Sequence, residues 1–249
     1  KADKSLGLEL IRTLKSVLLP EPFSPMITFR IMENVPNTVR YINDEYTWKD
    51  LGLSGTGPPL CIPKKLVLNA ADYGVPQERH TMVAGDYPEP EKTHDAKSML
   101  TVRDVLRAFG DPLSSDREGW VEDPNHPIRI KRSEVTDHFY DTRIEEWKWK
   151  QAKRLKEDHG YMGKMPFPDN LDRPSRTVLA TRSASTREAM IFGVQRGDDG
   201  QYKSFRLPTI REIASFMSFP ITYQFEGNTE ESKYRLVGNA VACNQARAI

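Results

Sequence analysis

Apolar positions in the first part of the chain switch between helical and strand spacing. Leu10, Ile11, Leu14, Val17 and Leu18 recur at helical intervals until Pro20 and Pro22, which predicts an amphipathic helix. Ile27 to Met32 then alternates and is rich in β-formers, predicting a strand that ends at Glu33. Val35 to Tyr46 reads as a second helix, with Pro36 tolerated in its first turn. Lys65–Leu68 and Arg79–Ala84 read as two further strands, separated by the turn-like Gly74-Val75-Pro76. Strand, helix, strand, strand is the tail of an α/β sheet, in which an antiparallel pair at the end is allowed.

The pattern changes after Gly85. Residues 86–96 are rich in proline and charge and read as a linker. A short helix starts at Thr101-Val102 and is stopped by Gly110 and Pro112. From there to about Asp172 the periodicity is poor, as in a second domain or a long functional insertion. Thr177–Thr181 predicts a strand. Thr209, with Glu212 three residues on, predicts a helix opened by a capping box, and Ile210, Ile213, Ala214 and Met217 form its apolar face. Residues 240–249 read as a last helix.

Composition narrows the classes. The 249 residues carry 36 Lys and Arg against 35 Asp and Glu, a net charge of +1, which excludes a uniformly basic nucleic-acid binder but not a local patch. Apolar runs are far shorter than the ~20 residues of a membrane span. Cys61 and Cys243 are too few for a disulfide framework or a cysteine-rich zinc site. The start, Lys1-Ala2-Asp3-Lys4, has neither an initiator Met nor a signal peptide. A sequence beginning part-way through a cytosolic protein is expected. The histidines show no ligand spacing and there is no phosphate-binding glycine loop with Lys-Ser/Thr, so neither a metal nor a nucleotide triphosphate is expected.

Several residues could carry chemistry. Glu33 is expected at the C-terminal end of a parallel strand, where open α/β sheets place ligands, and Asn34 and Pro36 shape the turn behind it. Gln77 and Arg79 alternate across a strand start and can share a face. Arg79 could hold a carbonyl or a phosphate, or orient a sheet-end carboxylate such as Glu33. Gly238-Asn239-Ala240-Val241 reads as a glycine turn at a helix start, with a short amide able to cap the helix or touch a ligand. Between Arg173 and Arg211 stand eight basic residues and three acids, a local excess of +5 that suits a phosphate backbone or a solvated strand pair. Residues 121–160, by contrast, hold nine basic and nine acidic residues. Trp147 to Arg154 therefore reads as a helix with a charged outer face and two partly buried tryptophans.

Four segments occur in a telling order: Glu33-Asn34-Val35-Pro36, Tyr73-Gly74-Val75-Pro76-Gln77-Glu78-Arg79, Arg173-Pro174-Ser175-Arg176-Thr177, and Tyr234 to Val241. Together they resemble the C5-cytosine DNA methyltransferases over nearly the whole chain, but only the second half of that family's catalytic fold. The resemblance implies part of a Rossmann-like α/β sheet plus a small irregular target-recognition domain. Residues 1–85 would be catalytic, 86–206 linker and target recognition, and 207–249 helices returning to the catalytic domain.

It further implies transfer of a methyl group from S-adenosylmethionine to C5 of a cytosine flipped out of double-stranded DNA, as in restriction-modification. Glu33 would protonate the cytosine ring nitrogen, with Arg79 as the second catalytic group. Asn34, Gln77, Arg173, Arg176, Thr177, Arg182 and Arg187 would meet the substrate, and Asn239 and Ala240 the cofactor. The family's Gln-x-Arg-x-Arg pattern is broken here, because Thr81 stands in the second arginine position. The family's Pro-Cys nucleophile and glycine loop are not among these residues, and neither Cys61 nor Cys243 is expected to replace the nucleophile. A second chain or segment would carry both. The cell compartment would be the bacterial cytoplasm or a eukaryotic nucleus. A catalytically inert DNA-binding relative or partner subunit, and an RNA cytosine methyltransferase of the same family, are the alternatives.

Overall fold

A computed structural model describes residues 30–249, apart from 53 and 159–162. The helix expected over Leu10–Leu18 lies outside the described residues, as do residues 27–29 of the first strand. Two compact units are present. One holds the chain up to Asn69 with His80–Pro90 and Ile249; the other holds Ala70–Arg79 with Glu91–Ala248.

In the first unit, β1 (Arg30–Asn34) is followed by a single 3-10 stretch, Pro36–Tyr41, and by β2 (Glu45–Tyr46) and β3 (Leu60–Cys61). Then come β4 (Lys64–Asn69) and β5 (His80–Asp86). The sheet order is β1-β5-β4, and β5 runs antiparallel to both neighbours. Alternation found the strands correctly. The parallel setting of β1 is not what its described neighbour shows, because side-chain period is the same in both directions and does not encode strand polarity. The fold is mixed α/β with small sheets, and no larger parallel sheet occurs among the described residues.

The helix expected over 35–46 is also corrected. Pro36 opens a short 3-10 turn as its ring geometry allows, but Glu45 and Tyr46 pair with Cys61 and Leu60 as an antiparallel ladder. Cross-strand pairing and burial of Ile42 and Tyr46 outweigh helix propensity there. Met82 and Ala84 of β5 pack with Met32, Ile42, Tyr46, Leu51, Leu60 and Ile62 as this unit's core.

The second unit contains α1 (Val102–Phe109), the hairpin β6 (Trp120–Glu122) and β7 (Arg129–Lys131), and α2 (Glu146–Glu157). It continues with β8 (Phe192–Arg196), β9 (Tyr202–Arg206), α3 (Ile210–Phe216), α4 (Glu230–Asn239) and α5 (Cys243–Ala248). Thr101 caps α1 reciprocally with Asp104, and Thr209 caps α3 with Glu212 as its spacing predicts. Helix α3 is buried along its whole length, with α1 and α4 packed against it. Phe109, Ile210, Ile213, Phe216, Met217 and Val237 are among its core.

Three further expectations change. Thr177–Thr181 forms no strand; a single parallel bridge joins Ser175 to Gln77 instead. The C-terminal residues make two helices, so Gly238 and Asn239 end α4 rather than start a helix. Gly238 serves close packing, since a Cβ there would stand 2.2 Å from the Leu179 carbonyl oxygen. Of the two tryptophans of α2, Trp149 is half-buried against Phe167 and Phe205, but Trp147 is 59% exposed.

Candidate active-site and substrate-contact residues

Glu33 lies in β1 opposite Val83 of β5 and is half-buried. Asn34 follows it and uses its side-chain oxygen locally, accepting from the Val35 N–H at 2.8 Å and from Thr38 Oγ1 at 3.1 Å. That carboxamide fixes the turn leaving the strand, and with it the backbone at Glu33.

In the second unit, residues 76–79 are tied to residues 175–178 by an interlocking set of bonds. Ser175 N–H donates to the Pro76 carbonyl at 2.9 Å and Glu78 N–H to the Ser175 carbonyl at 2.8 Å. Gln77 is fully buried. Its Nε2 donates to the Phe216 carbonyl at 2.9 Å and lies 3.0 Å from Met217 Sδ, while its Oε1 accepts from the Val178 N–H at 3.0 Å. Arg79 donates from Nη1 to the Val178 carbonyl at 3.2 Å, so both polar groups of residue 178 are clasped. Thr177 Oγ1 completes the junction by donating to the Glu78 carbonyl at 3.1 Å. The Gln77 amide does the work that a ladder would otherwise do, which is why Thr177–Thr181 needs no strand partner.

Arg173 is exposed, with Glu78 3.5 Å away. It lines a cavity of about 160 Å³ together with Ser175, Asn170 and Asp169. Ser175 is buried there and its Oγ has no hydrogen-bond partner among the described residues.

Arg176 is held differently. Its Nε donates to Asp169 Oδ1 at 2.6 Å and its Nη2 to the Ala189 carbonyl at 2.9 Å. Asp169 also accepts from Lys156 Nζ at 2.9 Å and from the Ile191 N–H at 2.8 Å. Lys156 is fully buried, and burial pushes its ammonium below the usual lysine range while Asp169 pulls it back up. Sequence reading missed Lys156 and Asp169 altogether. No local pattern marks a lysine that turns inward from a charged helix.

Arg182 pairs with Glu230 in the first turn of α4, and Arg187 donates to the Gly163 carbonyl at 3.1 Å. Lys203 and Arg206 pair with Asp199 and Glu212. Five of the eight basic residues counted from Arg173 to Arg211 therefore have a carboxylate partner within the fold.

Asn239 stands at the other end of α4, about 14 Å along the axis from its first residue. It is exposed, and its carboxamide makes no hydrogen bond among the described residues. Ala240 caps the helix through its N–H to the Val237 carbonyl. The structure thus gathers Gln77, Arg79, Arg173 and Thr177 at one junction, leaves Arg182 and Asn239 at opposite ends of α4, and carries Glu33 and Asn34 on the other unit.

Cys61 is exposed in β3, and burial pushes the Cys243 thiol up, against thiolate formation. Among the described residues no helix is long and apolar enough to cross a membrane.

Solved structures similar to the chain are methyltransferases. The Entamoeba histolytica methyltransferase EhMeth is 15% identical with a TM-score of 0.45, over 96% of this chain and 64% of its own. The S. pombe Dnmt2 methyltransferase is 13% identical with a TM-score of 0.51, over 96% and 68%. An E. coli prophage protein, described as a DNA modification methyltransferase, is 19% identical with a TM-score of 0.47, over 89% and 67%. The chain spans about two-thirds of the length of these structures. No curated protein sequence matches it. The profile of the C-5 cytosine-specific DNA methylases matches residues 28–249, nearly the whole chain, and the chain belongs to that family.

Proposed function

We propose that this chain forms part of an enzyme that methylates C5 of cytosine in DNA, using S-adenosylmethionine as methyl donor. The observation that carries the reading is the order of the four segments inside the family match over residues 28–249. Glu33 gives its carboxyl proton to the ring nitrogen of a flipped-out cytosine and is left as a carboxylate. That neutralises the negative charge which builds on the ring when a cysteine thiolate, supplied from outside the residues assigned here, adds to the neighbouring carbon. Asn34 keeps the strand end in place beneath it.

Arg79 presents its guanidinium to the cytosine carbonyl or a nearby phosphate, while Gln77 acts as a positioning residue through residue 178. Arg173 and Ser175 offer a cation and a hydroxyl group at the cavity edge, the donor types that hold backbone phosphates, and Thr177 holds the junction beside them. Arg176, Arg182 and Arg187 shape the same segment from within the fold. S-adenosylmethionine supplies the methyl group when bound. An exposed carboxamide without a protein partner is the kind of donor and acceptor that its amino-acid or adenine edge requires, so Asn239, with the Ala240 backbone, fits one side of that cofactor.

Glu33→Gln tests the assignment. It keeps hydrogen-bonding capacity but supplies no proton. Single-turnover methylation, measured with a family segment supplying the Pro-Cys and glycine loops, should fall by about 10²-fold, the low end for loss of a general acid. DNA affinity should hold. An unchanged rate with weakened binding would overturn the catalytic role and favour a DNA-binding module, and methylation of RNA in place of DNA would overturn the substrate.

A further inference from the structure

The β6–β7 hairpin has two faces of opposite character. Val121 and Ile130 turn inward to the core of the second unit. Trp120, Glu122, Arg129 and Lys131 share the outer face, because the register sets Trp120 against Lys131 and Glu122 against Arg129. Trp120 is 54% exposed, and the Arg129 guanidinium lies 4.6 Å from its ring centroid on the diagonal.

Arg117 and Arg132 flank this face, stacked on Phe139 at 3.5 and 5.2 Å. Arg132 also covers Gly110 at the C-terminal end of α1, where the helix dipole favours a cation. Within the described residues, none of these four cations has a carboxylate within 4 Å. Among the described residues Glu122, opposite Arg129 in register, makes no ion pair, and Glu134 accepts from the Lys131 backbone N–H at 3.1 Å.

We propose that this outer face docks DNA. An unpaired base stacks on Trp120, and Arg129 and Lys131 neutralise phosphates of the same strand. The inference rests on the methyltransferase reading above and adds a contact surface to it. Charge complementarity carries the argument: cations without a carboxylate partner release counterions when phosphates arrive, whereas cations already paired to carboxylates must first lose a partner. A half-exposed tryptophan with one face on a guanidinium adds a stacking platform of the sort single strands use.

The full chain is titrated with a duplex oligonucleotide and with the same duplex carrying one unpaired base, at several salt concentrations. Trp120→Ala should weaken binding of the unpaired-base DNA by about 10-fold, within the range for one stacked base, and leave the plain duplex nearly unchanged. The double substitution Arg129→Gln, Lys131→Gln should weaken both and reduce the salt slope by about 2. Parental affinity in all variants, with the parent still binding DNA, overturns the docking face while leaving the methyltransferase reading intact. A parent that binds no DNA overturns both. Circular dichroism and the thermal midpoint of each variant show whether the fold survives, and any loss is read only against variants that keep it.

Discussion

Residues 173–211 and the hairpin segment 117–132 invert each other's charge arithmetic. The first has an excess of +5, but five of its eight cations are paired with carboxylates that lie mostly outside that stretch of sequence. Arg211, buried and donating to Thr136 and to the Tyr223 carbonyl, is pushed below the usual arginine range by desolvation, which Asp137 and Asp123 oppose. The hairpin belongs to a stretch whose acids and bases balance, yet among the described residues none of its cationic groups is ion-paired, and the carboxylate of Glu134 is taken by the Lys131 backbone N–H instead. What attracts a phosphate is charge without an internal partner, and counting along the sequence does not measure that. Arginine in the first region mostly holds structure together, the exposed Arg173 with its loose 3.5 Å contact to Glu78 being the exception; in the second it is presented outward.

The strongest way to break this contrast is to remove the carboxylate at the centre of the paired region. Asp169→Asn would leave Lys156 and Arg176 facing each other with no counter-charge. Loss of one partner from a buried ionic cluster costs about 3–5 kcal/mol, which urea unfolding at pH 7 should register. The ammonium of Lys156 is already held low by burial and loses its main support in the variant. The folded variant therefore binds fewer protons than its unfolded chain, so its deficit should shrink as pH rises towards the ordinary lysine range. A variant as stable as the parent would mean that the cluster is not what fixes Arg176.

A smaller difference separates two arginines three residues apart. Arg176→Gln removes a charge-assisted bond to Asp169 and should cost about 1.5–3 kcal/mol of stability, with little change in the salt dependence of DNA binding. Arg173→Gln should do the opposite, leaving the unfolding midpoint in place and making the salt dependence shallower. If both variants change only binding, the division between structural and presented arginines fails.

Much of the local structure was legible. The Thr209 to Glu212 spacing located α3, and alternation located the three strands of the β1-β5-β4 sheet, because caps and side-chain period are written in neighbouring residues. The family was legible too, through the order of its four segments. What escaped is long-range. Arg182 meets Glu230 across 48 positions, and Gln77 reaches the Phe216 carbonyl across 139. Gly238 is needed for the approach of Leu179, whereas adjacent residues alone suggest a turn. Strand polarity, the burial of Lys156 and the exposure of Trp147 follow from which segments meet, and a one-dimensional pattern does not contain that.

The smallest effect probes the field of the unpaired cations from inside. His138 is fully buried between Phe109 and Phe139, with Nδ1 3.1 Å from Thr209 Oγ1, the cap of α3. Burial holds its imidazole below the usual histidine range; Glu212 opposes that shift, while Arg206 and Arg132 add to it. A histidine with a lowered folded value is neutral in the native state, and the unfolded chain takes up its proton first. Stability should therefore fall as pH drops through about 6.5. Arg206 is neutralised by Glu212 at 2.7 Å, but Arg132 has no such partner, so Arg132 is the cation whose charge His138 should feel. Arg132→Gln should raise the His138 value yet leave it below the ordinary range, because burial is the larger cause. Ring-proton NMR titration of the parent and variant measures both numbers. An unshifted His138 in the variant would show that the charge of Arg132 is screened where it stands, and the contrast between presented and paired cations would then stop short of this residue.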